Sequence, residues 1–248
     1  MDGRLVGINT AIFSKSGGSH GIGFAIPSNM VQVVVQSALK GGKVQRPWLG
    51  ASLQPLTSDL AESLGLDRPA GAMVTRVHEK GPAKSAGLKV GDVIVSFDGR
   101  DIQDPEALEY RFVTKGIGNA VELGLYRDGK RFRTTIATVV PIEDPPRDER
   151  DVSGPNPFAG SSVANLSPAV SAELGLDDVA DTGVVVTKVE RQSNADRLGL
   201  RPGDLIVGVN DQEVQSVKEL TVLLQIRTAR WRLAIERGGR VFDLTVRG

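Results

Sequence analysis

The chain has 248 residues, 30 basic and 30 acidic side chains, no cysteine and two histidines. That length suits two domains of about 100 residues each. Balanced charge gives no electrostatic ground for a nucleic-acid partner or an anionic membrane. Lack of cysteine excludes disulfides and thiolate metal sites, and His20 and His78 lie too far apart in sequence for a histidine-rich centre, so no metal and no cofactor are expected. No apolar run reaches the roughly 18 residues of a membrane span, and Met1-Asp2-Gly3-Arg4 does not lead into the apolar core of a signal peptide.

In chain order, residues 5–13 read as an apolar strand, 14–21 as a Gly/Ser loop and 22–27 as a second strand. Ser28 is placed to cap a helix over 29–39, where Met30, Val33, Val34 and Leu39 form an apolar stripe and Gly41-Gly42 stops it. Residues 57–66 read as a short helix ended by Gly65, and 74–77 and 93–97 as β-branched strands. Asp98-Gly99 is a hairpin-turn signal. Asp104 caps a helix with Pro105 in its first turn, and Leu108, Phe112 and Lys115 share one helical face. Residues 121–126, the Asp128-Gly129 turn and 132–139 form a closing hairpin.

This pattern occurs twice. Trp48-Leu49-Gly50-Ala51 aligns with Phe158-Ala159-Gly160-Ser161, and Gly87-Leu88-Lys89-Val90-Gly91-Asp92 with Gly199-Leu200-Arg201-Pro202-Gly203-Asp204. Two large copies mean duplicated domains rather than a solenoid, each a strand-rich sandwich with two helices. Between them, residues 141–157 carry five prolines and the charge run Arg147-Asp148-Glu149-Arg150-Asp151, which predicts a semi-rigid, solvated linker. The recurring Gly91-Asp92 and Gly203-Asp204 are read as turns with a capping aspartate.

Leu5-Val6-Gly7-Ile8-Asn9-Thr10-Ala11-Ile12 and Gly21-Ile22-Gly23-Phe24-Ala25-Ile26-Pro27-Ser28 resemble the last two strands of an HtrA/Deg serine protease domain, and the two repeats resemble the PDZ domains that follow it in that family. The resemblance implies a mainly β (α+β) fold of two partly open β-sandwich or barrel PDZ domains in tandem. It divides the chain into a protease-domain remnant (1–28), a linker helix (29–45), a first PDZ domain (46–140), the linker (141–157) and a second PDZ domain (158–248). In the family the catalytic histidine, aspartate and serine all precede the Ile-Asn-Thr-Ala strand, and no Gly-Asn-Ser-Gly-Gly-Pro stretch occurs here. The chain is therefore expected to be inactive alone, with His20 and His78 as ordinary surface residues. The remnant strands, without their barrel, are expected to keep unpaired edges, to be mobile or to pair with a neighbour, and to offer a route to a homo-oligomer.

A PDZ groove binds an extended peptide as an added strand and often captures its terminal carboxylate. By position in the family motif, Leu49, Gly50 and Ala51 are the carboxylate loop, Ser52, Leu53 and Gln54 the pairing edge, and Leu108 and Phe112, with Arg111 at the rim, the pocket side. In the second copy the corresponding residues are Ala159, Gly160, Ser161, Leu220, Leu223 and Leu224, a less convincing set because its loop is small-residued. The function implied is recognition of C-terminal or misfolded hydrophobic peptide segments for a periplasmic quality-control endopeptidase whose protease domain is the natural partner. The alternatives are a scaffold or oligomerisation role without peptide binding, or endopeptidase activity belonging to a longer parent.

Overall fold

Gly7–Ile12 (β1) and Gly23–Pro27 (β2) pair antiparallel with each other through a bulge between Asn9 and Ala11, and Ser28–Leu39 (α1) follows directly. The Ser28 N–H closes onto the Val6 carbonyl at 2.9 Å. The computed structural model describes residues 3–12, 22–39, 45–176, 182–226 and 228–247, so the Gly/Ser loop with His20 and the Gly41-Gly42 stop lie outside the described residues. This first piece buries little. Leu5, Val6, Ile8, Phe24 and Ile26 are exposed, as are Val34 and Leu39 of the predicted stripe, while Met30 and Val33 are half-buried. Each strand of the pair has one partner among the described residues, and no barrel forms around them.

The chain divides into two units, Met1–Val140 and Pro141–Gly248. In the first, Ala51–Pro55 (β3), Ser58–Ser63 (α2), Ala72–Val77 (β4), Pro82–Ser85 (α3), Val93–Phe97 (β5), Arg100–Asp101 (β6), Pro105–Lys115 (α4), Ala120–Arg127 (β7) and Lys130–Ala137 (β8) follow in order. The sheet order is β3-β4-β5-β7-β8, all antiparallel, with β6 beside β5. It does not close into a barrel, and β3 lies at its margin.

Local chemistry accounts for the helix starts. Thr57 accepts from the Leu60 N–H at α2, and Asp104 accepts from Ala107 N at 2.6 Å at α4, with Pro105 in the first turn. Leu108 and Phe112 then bury against Val74, Ile94, Phe97, Leu123 and Leu125. Phe97 meets Phe112 edge-to-face at 6.1 Å, an arrangement worth about 0.5–1.5 kcal/mol beyond area burial. The Tyr110 hydroxyl donates to Asn29 Oδ1 at 2.8 Å, tying α1 to α4.

Asp98 illustrates how one turn residue serves three elements. It takes φ +47° before Gly99, accepts from the Glu122 N–H, and receives the Lys115 ammonium at 2.6 Å. The Lys115 hydrogen bond holds the Asp98 carboxyl below its ordinary value, against a smaller opposing effect of burial. A depressed folded-state pKa means the stabilisation is complete above the unfolded-state value and is lost as pH falls through the folded one. Lys115→Met should therefore raise the Asp98 midpoint in a carboxyl ¹³C titration, and an unmoved midpoint would dismiss the pairing.

The second unit comprises Arg150–Asp151 (β9), Ser161–Asn165 (β10), Pro168–Leu174 (α5), Val184–Val189 (β11), Asn194–Arg197 (α6), Leu205–Val209 (β12), Gln212–Glu213 (β13), Val217–Leu224 (α7), Arg230–Arg237 (β14) and Arg240–Arg247 (β15). Its order, β15-β14-β12-β11-β10-β9 with β13 beside β12, repeats the first sheet and adds β9. Two sequence expectations change. Among the described residues each repeat has three helices rather than two (α2 to α4 and α5 to α7), because α3 and α6 are single turns too short to show a period. Residues 141–157 are not a free linker: Ile142, Pro146 and Arg147 accept hydrogen bonds from the second unit, and Val152 packs against its core.

Both units share a buried ion pair. Asp92 accepts from Lys89 N at 2.8 Å, as the capping reading requires, and also from Arg127 through Nε and Nη2. Asp204 likewise accepts from Arg201 N and from Arg237. The aspartate hydrogen bond raises the pKa of each arginine.

Candidate functional site

The loop at residues 48–51 is fixed from behind. Trp48 N–H donates to Val139 O at 2.8 Å, and the indole sits edge-on to the His78 ring at 5.1 Å. Leu49 O accepts from Ala83 N (3.1 Å) and Gly50 O from His78 N (2.9 Å). In a planar trans peptide the N–H points opposite the carbonyl. The N–H groups of Gly50 and Ala51 therefore point away from α3 and β4, and among the described residues neither Leu49 nor Gly50 donates to a backbone acceptor. Gly50 has φ +72°, and a Cβ there would lie 2.8 Å from Pro82 Cδ and 2.9 Å from Gly81 Cα. Only glycine lets the loop pack this closely.

The predicted residues divide into three groups. Leu49 through Gln54 form one continuous loop and strand, with Leu49, Ala51 and Leu53 half-buried over the core and the β3 edge opposite β4 carrying no other strand among the described residues. Leu108 and Phe112 are buried in that core rather than open to solvent. Arg111 is drawn toward β6, donating to Arg100 O at 2.9 Å. A cavity of about 530 Å³ in the first unit lies away from its loop, between Leu66, Ser96, Gly124 and Phe132, while one of about 390 Å³ in the second unit lies beside the approach to its loop, between Asn156, Pro157, Asn194, Trp231 and Val246.

The second unit repeats the loop geometry. Ala159 O accepts from Ala195 N (3.1 Å) and Gly160 O from Glu190 N (2.8 Å), at φ +83° for Gly160. Here the outward N–H is taken: Gly160 N donates to Val152 O at 2.9 Å. Strand β10 is buried and paired on both edges, by β11 and by β9. Leu220 is in the core, and Leu223 and Leu224 pack against it. The sequence did not mark β9, nor Arg147, whose guanidinium bridges Glu173 and Glu143 and whose pKa is raised first by Glu173 and then by Glu143.

An edge strand beside a helix, entered through a glycine loop with outward N–H groups, defines a PDZ-type domain. Residues 47–138 and 185–246 each match the PDZ domain family. The chain is 39% identical over 243 residues to the "Probable periplasmic serine endoprotease DegP-like" of Bartonella henselae, covering 92% of this chain and 47% of that protein. It is 37% identical over 238 residues to the "Periplasmic serine endoprotease DegP" of Salmonella typhimurium, covering 96% and 47%. Among solved structures, "HtrA-type protease AlgW with decapeptide" matches at 43% identity over 56% of this chain and 42% of that one, with a TM-score of 0.43. The chain carries two PDZ domains in tandem and belongs to the HtrA/Deg family, spanning about half the length of the curated relatives it matches.

Proposed function

We propose that the first unit binds extended peptides by strand addition on β3, with the peptide carboxylate accepting from the N–H groups of the Leu49-Gly50-Ala51 loop and its side chains lying over Leu49, Ala51 and Leu53. One observation carries this reading. At the equivalent loop of the second unit an extended segment already accepts from the glycine N–H and donates back, Val152 N to Ser161 O at 2.7 Å. Duplication makes that contact a template for the first groove, where Gly50 and Ala51 would play the same parts. Leu108 and Phe112 support the pocket from beneath.

Such binding would serve a periplasmic endopeptidase of the DegP kind, selecting C-terminal or misfolded hydrophobic segments. The exposed apolar residues of β1, β2 and α1 are where the remainder of a protease domain would pack. A scaffold role fits the second unit better than the first, because β9 fills its edge.

The test is a titration of the chain with a short hydrophobic peptide bearing a free carboxylate or a C-terminal amide. Charge-assisted hydrogen bonds of about 1.5–3 kcal/mol predict roughly 10- to 100-fold tighter binding of the carboxylate, with the Gly50 and Ala51 amide resonances moving most. Equal affinity for both peptides, or none for either, would remove the carboxylate groove.

A further inference from the structure

Residues 147–152 make, within one chain, the contacts of a bound peptide. The segment runs antiparallel to β10 with Asp151 opposite Ser162 and Arg150 opposite Val163. Its C-terminal end meets the glycine loop, where Val152 exchanges hydrogen bonds with Gly160 and Ser161, and its other end accepts from Asn165 N through Arg147 O at 2.7 Å. Side chains fasten it: Ser162 Oγ donates to Asp151 at 2.6 Å and Thr187 Oγ1 to Glu149 at 2.7 Å. Val152 is its one apolar residue, set half-buried against the same core that Leu223 and Leu224 cover.

We propose that residues 147–152 are a cis ligand of the second PDZ domain, closing its groove to peptides in trans until the segment leaves, and that the groove so opened takes a peptide ending in a small aliphatic residue. This rests on the strand-addition reading above. The segment is built to be displaceable. Five of its six residues are charged, its strand is two residues long, and it forms the margin of the sheet, so its departure uncovers β10 while removing only Val152 from the core. A tethered strand competes at a local concentration on the order of millimolar, and a groove open for only a small fraction of the time binds in trans with an affinity lowered by that fraction.

The experiment uses the whole ¹⁵N-labelled chain and a synthetic peptide with the sequence of residues 148–152 and a free C-terminal carboxylate. In the parent chain the Gly160 and Ser161 amides should respond only at concentrations about 100-fold above those that move Gly50. In the double variant Arg147→Ala, Val152→Gly that gap should shrink at least about 10-fold. Response of Gly160 alongside Gly50 in the parent chain, or an unchanged gap in a variant whose β10–β11 amides keep their dispersion, overturns the proposal. Hydrogen exchange on the unaltered chain decides independently of any variant. The amides of Val152, Gly160 and Asn165 should exchange together and at least about 10-fold faster than that of Val186 within the sheet, and exchange only with global unfolding makes β9 a permanent strand and ends the idea. A silent Gly50 beside a responsive Gly160 in the variant would sink the first-groove reading and leave this one standing.

Discussion

Replacing Arg127 by methionine should destabilise the first unit by about 3–5 kcal/mol, because it strands a buried charge. Asp92 is 0% exposed and receives three donors, two of them from Arg127. Without the guanidinium the carboxylate keeps only the Lys89 N–H. The reverse change, Asp92→Asn, should cost less, about 1–3 kcal/mol. Arg127 is 23% exposed, still bonds Gly87 O at 2.9 Å and lies over the Phe132 ring at 4.6 Å, so water and these partners satisfy it. In the second unit Arg237 is 39% exposed over Asp204. Asp204 itself is only 1% exposed, so Arg237→Met strands a buried carboxylate as Arg127→Met does and should cost a similar amount. Trp48 and Trp231 report on the two units separately once the other is changed to phenylalanine, so urea transitions followed by fluorescence give both numbers. A smaller loss for Arg127→Met than for Asp92→Asn would contradict the buried-charge account.

The same pair shows what a sequence can and cannot disclose. Gly91-Asp92 and Gly203-Asp204 are visible because they recur beside an apolar strand, and the turn reading of them holds. Their arginines stand 35 and 33 residues further on, at the ends of hairpins whose own pattern asks for nothing from a distant aspartate. Periodicity reports which face of an element is buried, and Asp104-Pro105 reports where a helix starts, because both signals are local. Pairing across the fold is not local. Strand β9 is the sharper case. Arg150-Asp151 has no apolar alternation, and the charge and proline around it suggest solvent. It is a strand because β10 presents an unpaired edge, a property of the neighbour rather than of the segment. The pocket side of the first groove is under-determined for a related reason: Leu108 and Phe112 share a face, but helical spacing cannot say whether that face meets ligand or core, and in the structure it packs with the β5 and β7 side chains of the first unit.

Gly50→Ala tests the loop on which the proposed binding depends, with an expected loss of about 2–4 kcal/mol from the first unit and at least 10-fold in carboxylate-peptide affinity. Two costs add. A left-handed residue with a Cβ is strained by about 1–2 kcal/mol. The new methyl would also press on Pro82 Cδ and Gly81 Cα, a ring and a backbone that cannot rotate out of the way. Gly99→Ala separates the two, because Gly99 has φ +73° in a turn with no atom within 4 Å of an added Cβ. It should show the conformational cost alone and leave peptide affinity unchanged. Gly160→Ala carries the logic to the second unit, where the methyl would overlap Ser193, whose hydroxyl is committed to capping α6 at the Asp196 N–H. Relieving that overlap uncaps the helix and shifts the N–H that now holds Val152, so Gly160→Ala should weaken the internal strand as well as the fold. Equal stability losses for Gly50→Ala and Gly99→Ala, with peptide affinity intact in both, would mean that the loop tolerates displacement and that its N–H groups are not what captures the carboxylate.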